Sequence, residues 1–86
     1  MPTTQPGSKE WSIRSVPDLG RAIAGVRRTR GLTQQQLAND ASVERSYLAR
    51  LEAGASTLAI ERSLRLLRRM GASVTVSVDE NDGGPR

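Results

Sequence analysis

Three of the four glutamines in the chain lie between residues 33 and 52, together with two arginines and two serines, and these are side chains that contact nucleic acid. Twelve of the thirteen cations in the chain are arginine and one is lysine. A guanidinium group matches phosphate oxygens and the guanine edge better than an ammonium group does. Of the net charge of +4, residues 11–78 carry +6 and residues 79–86 carry −2. The basic charge predicts a nucleic-acid partner, although arginine-rich codon usage and ordinary solvated faces would give the same composition.

Several kinds of chemistry are excluded by residues that the chain lacks. There is no cysteine and no histidine, so thiolate nucleophiles, the usual general base and the common soft metal ligands are all missing. We therefore expect no catalytic residue, no metal site and no cofactor, and we do not expect an enzyme. No apolar run approaches the length of about 20 residues that spans a bilayer, and the N-terminus lacks the apolar core of a signal peptide. We expect a cytoplasmic protein that has no membrane partner and associates with the nucleoid when bound to DNA.

One ordered domain is predicted between two tails. Residues 1–10 and 79–86 lack an apolar period and contain Pro and Gly, which predicts flexible tails, the second one acidic. Residues 11–78 form the predicted domain. Its first helix begins near Pro17 and ends at Gly31, with arginines in its last turn where the helix dipole favours cations.

Three further helices follow. Thr33 and Gln36 have the spacing of a capping box, which starts a short helix at Gln34. The next helix has an apolar stripe and ends at Gly54, which tolerates a left-handed cap; that stripe consists of Val43, Tyr47 or Leu48, and Leu51. The last helix, opened by Ser56 and Thr57, is predicted to bury Ile60, Leu64, Leu67 and Met70 and to end at Gly71. Its arginines, Arg62, Arg65, Arg68 and Arg69, are interpreted as a solvated face or as a contact for an acidic partner protein.

A strand is predicted over residues 73–78 because Val74, Val76 and Val78 alternate with polar residues. A single strand leaves its backbone groups unpaired, and the other strand-like stretch is a brief one from Trp11 to Arg14. We therefore expect the strand to pair across a two-fold axis with a second copy, joined or not by residues 11–14; the alternative is a frayed, solvated tail. The fold expected is mostly α, with four to five helices, a helix-turn-helix and a short C-terminal strand that pairs across a dimer.

Two adjoining segments resemble a known family. The segments are Leu32-Thr-Gln-Gln-Gln-Leu-Ala38, and Val43-Glu-Arg-Ser-Tyr-Leu-Ala-Arg-Leu-Glu52 with Gly54. They are similar to the Xre/Cro family of phage-type, lambda-repressor-like regulators over residues 19–72. The short Val-rich strand after the last helix and the segment before the first are similar in layout to the HipB-type antitoxins. Ser42 departs from the family, which usually has Gly in this turn because the backbone there is left-handed.

The resemblance and the residue types assign DNA contacts to the motif. Four residues on the outward part of the third helix are expected to read bases, with Arg45 and Arg50 suited to guanine; the set is Glu44, Arg45, Ser46 and Arg50. Glu44 either accepts from a base or stabilises the positive helix end. Phosphate contacts are expected from Gln34, from Arg28, which is otherwise solvated, and from Tyr47, which is otherwise a packing residue. The resemblance also implies a structural ion pair between Arg27 and Glu52.

The function expected is that of a sequence-specific, dimeric repressor that binds an inverted-repeat operator in double-stranded DNA. A single recognition helix reads too few base pairs, so two half-sites about 34 Å apart are needed. The HipB resemblance implies an antitoxin that represses its own operon and neutralises a HipA-like kinase toxin. A stand-alone Xre/Cro-type regulator without a toxin partner is the alternative.

Overall fold

The computed structural model describes residues 8–55 and 57–79. In these residues the chain order is β1 (Ser8–Ile13), α1 (Val16–Thr29), α2 (Gln34–Ala41), α3 (Arg45–Glu52), α4 (Leu58–Arg69) and β2 (Val74–Asp79). The fold is mostly helical with a C-terminal strand in a small sheet, which confirms the predicted class. The predicted tails at 1–7 and 80–86, and the predicted role of Ser56, lie outside the described residues. None of the helices in the described stretches has the length and apolar character needed to cross a bilayer.

The two strands pair with each other within one chain. β1 and β2 are antiparallel, with Trp11 opposite Val76 and Ile13 opposite Val74. The first strand is therefore longer than the predicted stretch and takes in residues 8–10, which were assigned to the N-terminal tail. This strand supplies the ladder partner for which a second copy was expected, so the reason for expecting it does not hold. Pairing of β2 across a dimer stays a prediction.

The core lies between the sheet, α1 and the inner side of α4. Its buried centre consists of Ile13, Val16, Ala22 and Leu64, and the half-buried residues around it are Trp11, Leu19, Leu51, Ile60, Val74 and Val76. The valines of β2 are half-buried while the residues that alternate with them are exposed. The apolar stripe of β2 therefore packs largely on the chain's own core.

Two apolar residues are more exposed than the sequence patterns predict. Val43 is 40% exposed because it lies in the turn before α3, where its N–H donates to the Ala38 carbonyl at 3.0 Å. Met70 is 74% exposed because it caps α4 at a position that turns away from the core. The predicted stripes of the third and fourth helices are therefore each shorter by one residue.

Candidate nucleic-acid interface

The turn between α2 and α3 is set by local hydrogen bonds. At the start of α2, the Gln36 N–H donates to Thr33 Oγ1 at 3.0 Å, and the Thr33 N–H donates to Gln36 Oε1 at 2.8 Å. This is the predicted capping box. At the end of α2, Ser42 has a left-handed φ of 58°, the conformation that the family resemblance implied. This conformation is unfavourable for a residue with a side chain, so the backbone of the turn is strained at Ser42.

α3 presents a polar outer face. Arg45, Ser46 and Arg50 are exposed on this helix, while Leu48 is 4% exposed and packs inward. Glu44 is the N-cap residue, and its side chain makes no capping hydrogen bond to the helix. All four residues predicted to read bases are thus exposed at the N-terminal and middle part of α3, and their DNA contacts stay predictions.

A network of charged hydrogen bonds joins α1, α2 and α3. Arg27 Nε donates to Glu52 Oε2 at 2.7 Å and Arg27 Nη2 donates to Glu52 Oε1 at 2.9 Å. The third Arg27 nitrogen, Nη1, donates to the Leu32 carbonyl at 2.9 Å. Gln34 Nε2 donates to Glu52 Oε1 at 3.0 Å. The side chains of Arg27 and Glu52 are only 11% and 7% exposed, so the paired fork is shielded from water, which strengthens it.

The network shifts the protonation equilibria of its ion pair in opposite directions. The hydrogen bonds from Arg27 hold the pKa of the Glu52 carboxyl below its ordinary value of 4.5, with burial opposing the shift and Gln34 adding to it. The hydrogen bond to Glu52 likewise raises the pKa of Arg27. Both groups are therefore charged at neutral pH, and the pair fixes the end of α3 against α1.

Gln34 is placed differently from the simplest expectation. Its side-chain amide was expected to reach a phosphate, but one N–H of that amide is directed inward to Glu52. The backbone N–H of Gln34 is in the first turn of α2, where the helix itself offers no acceptor. The structure thus leaves Gln34 half-buried, with its side-chain amide held by the network.

The other two residues predicted to contact phosphates are accessible. Arg28 is exposed and is near enough to Glu52 to lower that carboxyl's pKa. Tyr47 is 42% exposed and lines a hollow together with Arg50, Leu51 and Thr57. In the described part of the chain, no group of three His, Cys, Asp or Glu residues could hold a metal ion.

Two features of this region were not found from the sequence. Gly20 of α1 lies against the end of α3 so closely that a Cβ atom there would be 2.2 Å from the Leu51 carbonyl oxygen. Gln35 is exposed next to Gln34, and its Nε2 donates to Asn39 Oδ1 at 2.8 Å. The glycine within a helical pattern was a signal for close packing; no local signal indicated that Gln34 binds Glu52.

Comparisons with known proteins agree with this geometry. A family model described as a helix-turn-helix domain matches residues 6–79. A protein of Sinorhizobium fredii, described as the uncharacterized HTH-type transcriptional regulator y4mF, is 33% identical over 64 residues, which cover 74% of this chain and 84% of the relative. No solved structure matches the chain.

Proposed function

The chain belongs to the helix-turn-helix domain family, and from this premise we propose that it is a dimeric transcriptional repressor that reads an inverted-repeat operator. DNA binding as a helix-turn-helix transcriptional regulator follows from the family and from the regulator that it resembles. The observation that carries the finer proposal is the exposure of Arg45 and Arg50 on α3, a helix whose end is held by the Arg27–Glu52 pair.

Base reading is assigned to the outer face of α3. Arg45 and Arg50 are exposed, and each can donate two hydrogen bonds to guanine O6 and N7, which discriminates by roughly 1–3 kcal/mol against a wrong base. Ser46 is small and admits close approach to the groove floor. Glu44, which makes no capping hydrogen bond, is free to accept from a cytosine amine.

Phosphate contacts are assigned to Gln34, Arg28 and Tyr47. The first turn of α2 at Gln34 has backbone N–H groups with no acceptor within the helix, which suits an anion. Arg28 adds an exposed cation near Glu52, and Tyr47 adds the hydroxyl of a side chain that is 42% exposed. Such contacts set the position of the protein on the duplex and carry no base preference, and they make binding weaker as salt is raised.

A second copy of the chain is part of the proposal because one α3 covers one half-site. The sheet has two strands, so one edge of β2 has no strand neighbour within the described residues. We assign the pairing across the two-fold axis to this edge of β2, the strand that contains Val74, Val76 and Val78. A two-fold dimer matches an inverted repeat because both have the same symmetry.

An antitoxin role is the more specific form of the proposal. It is supported by the short strand β2 that follows α4, a layout in which the sequence resembles the HipB-type proteins. In this form the protein represses its own operon and neutralises a HipA-like kinase toxin. The alternative is a stand-alone Xre/Cro-type regulator. Co-expression with the product of the adjacent gene decides between them, since an antitoxin would copurify with that product and block its kinase activity.

The DNA-binding proposal is tested by removing the two arginines of α3. Fluorescence anisotropy with the protein's own promoter region would be measured for the double variant Arg45→Ala, Arg50→Ala. A matched control is Arg14→Ala, Arg65→Ala, which removes the same charge from exposed positions outside α3. We expect the α3 variant to lose about 1–3 kcal/mol of binding per base contact, and the control variant to lose much less. Equal affinities for both variants would contradict the proposed reading face.

A further inference from the structure

α4 carries two neighbouring rows of side chains that both have helix-packing spacing. The inner row consists of Ile60, Leu64 and Leu67 and is half-buried or buried. The outer row consists of Ala59, Ser63, Leu66 and Met70. Its members follow at intervals of four, three and four residues, and all four are exposed. Residues at these intervals share one face of a helix, and this is the spacing by which one helix packs on another. The outer row is thus a second packing face with nothing on it among the described residues.

The outer row is suited to burial. Leu66 and Met70 are 64% and 74% exposed, and apolar groups of this size are stabilised when they leave water. The only hydroxyl in the row belongs to Ser63, whose Oγ donates to the Ala59 carbonyl at 2.8 Å. Burying Ser63 would therefore not leave its donor unpaired, which is the usual cost of placing a polar group in an interface.

We propose that the outer row is the surface on which a second copy of this chain docks, with the two α4 helices antiparallel. The row has small side chains in its N-terminal half and large ones in its C-terminal half. In an antiparallel pair, Ala59 faces Met70 of the second copy, and Ser63 faces Leu66 of the second copy. Both pairs belong to the same register, because the two residue numbers sum to 129 in each. Each large side chain then packs over a small one, which makes the surface complementary to itself, as a two-fold interface requires.

The antiparallel arrangement of two copies fits this surface better than a parallel one. A parallel pair would place Met70 on Met70 and Ala59 on Ala59, with crowding at one end and a void at the other. The inference rests on the proposed function, in that a reader of two half-sites needs a second copy. Residues 53–57 are all that separates α3 from α4, so a contact between α4 helices would fix the distance between the two reading helices.

Cysteine substitutions test the orientation. The natural chain has no cysteine, so single variants Ala59→Cys and Met70→Cys can be oxidised alone and after mixing. The antiparallel register predicts a disulfide between the two variants only when they are mixed. Cross-linking of each variant with itself would show parallel docking and would overturn the register, and no cross-linking in any tube would overturn the proposal.

Sedimentation equilibrium of the full chain tests the surface. The variant Leu66→Ser, Met70→Ser is compared with Leu58→Ser, because Leu58 is on the same helix and 56% exposed but is outside the outer row. We expect dimerisation to weaken by about tenfold or more in the double variant, and to be nearly unchanged in the control. Circular dichroism establishes that each variant is folded.

The salt dependence of dimerisation should be opposite to that of DNA binding. Arg62 and Arg69 lie beside the outer row on a helix whose only described acid is Glu61, so two docked helices repel one another. Added salt should strengthen the dimer while it weakens operator binding.

A dimer that persists in the double variant overturns the inference and leaves the regulator proposal intact. Failure of a demonstrated dimer to bind its operator overturns the proposed function instead. A purified chain that is monomeric, and loses a copurifying acidic protein in the double variant, shows a heterologous occupant and also overturns the inference.

Discussion

The α2–α3 motif and α4 are consecutive in the chain, yet they differ in how far contacts within the chain bury their side chains and hold them in place. The motif is locked by the capping box at Thr33 and by the Arg27–Glu52–Gln34 network, all within hydrogen-bonding distance. The element pairs that contact each other most extensively in the described residues are β1 with β2, α1 with α3, α1 with β1, and α2 with α3. α4 packs more loosely, and only Leu64 on it is buried.

This difference separates what a single copy can do from what requires another molecule. The orientation of α3 is decided inside the chain, because buried charges and close backbone contacts hold it on α1. The outer surface of α4 is not decided inside the chain, because its largest apolar groups are left in water. Substitutions in the motif should therefore change the stability of the isolated chain, whereas substitutions on the outer side of α4 should change association.

The largest expected effect follows from breaking the ion pair. Glu52→Ala leaves Arg27 charged and shielded from water, and an unpaired buried charge typically costs about 3–5 kcal/mol. Urea unfolding followed by circular dichroism measures the loss. The control Glu10→Ala removes an exposed acid from β1 and should change the free energy of unfolding by less than about 0.5 kcal/mol. Equal losses in the two variants would show that the pair does not hold the motif in place.

A smaller effect distinguishes two leucines in the two regions. Leu48 of α3 is 4% exposed, so Leu48→Ala should reduce the free energy of unfolding by about 2–5 kcal/mol through lost burial and a cavity. Leu66→Ala on α4 should cost less than about 0.5 kcal/mol at protein concentrations where the chain is monomeric. Both variants are measured by thermal and urea unfolding. A large monomer loss in Leu66→Ala would contradict the view that this side chain has no partner within the chain.

Local signals predicted the helices well, and contacts between distant residues were harder to predict. The capping residues Thr33 and Thr57 and the glycines after helices marked the ends of α2, α3 and α4 because caps act over a few residues. The strand at Val74 was recognised from its period, but its neighbour was recognised only from Trp11 onward, since β1 contains Lys9 and Glu10 and lacks an apolar alternation at its start. The hydrogen bond from Gln34 to Glu52 joins residues 18 positions apart, and no pattern within either helix encodes it.

Acid should weaken the motif in a defined range of pH. The pKa of Glu52 is lowered below its ordinary value of 4.5 by the hydrogen bonds from Arg27, so the folded state binds this proton less readily than the unfolded state does. The resulting stability is fully present above pH 4.5 and is lost as the pH falls towards the lowered pKa. Asp18, whose pKa is lowered by the backbone N–H of Arg14, acts in the same direction.

The acid dependence is assigned to Glu52 by comparing the wild type with Glu52→Gln. Free energies of unfolding would be measured at intervals from pH 6 down to pH 3. The variant should be less stable at pH 6, and the gap should narrow as the pH falls because the wild type loses its charged pair. A gap that stays constant over this range would contradict the assignment.

The smallest effect concerns how the two helices end. Ser42 is the C-cap residue of α2 and Gly71 follows the C-cap residue of α4, and both have a left-handed φ, of 58° and 78°. This conformation destabilises the folded state by about 1–2 kcal/mol when the residue has a side chain. Glycine avoids that strain, but it loses more conformational entropy on folding, which offsets about 0.5–1 kcal/mol of the gain. Ser42→Gly should therefore stabilise the protein by about 0.5–1 kcal/mol. The reverse exchange, Gly71→Ser, should destabilise it by a similar amount, since nothing lies within 4 Å of a Cβ atom at Gly71 and only backbone strain is added. Thermal unfolding of the two variants measures both signs. If Ser42→Gly also destabilises the protein, then Ser42 makes a favourable interaction in the turn that outweighs its strain, and the motif is less strained than its backbone indicates.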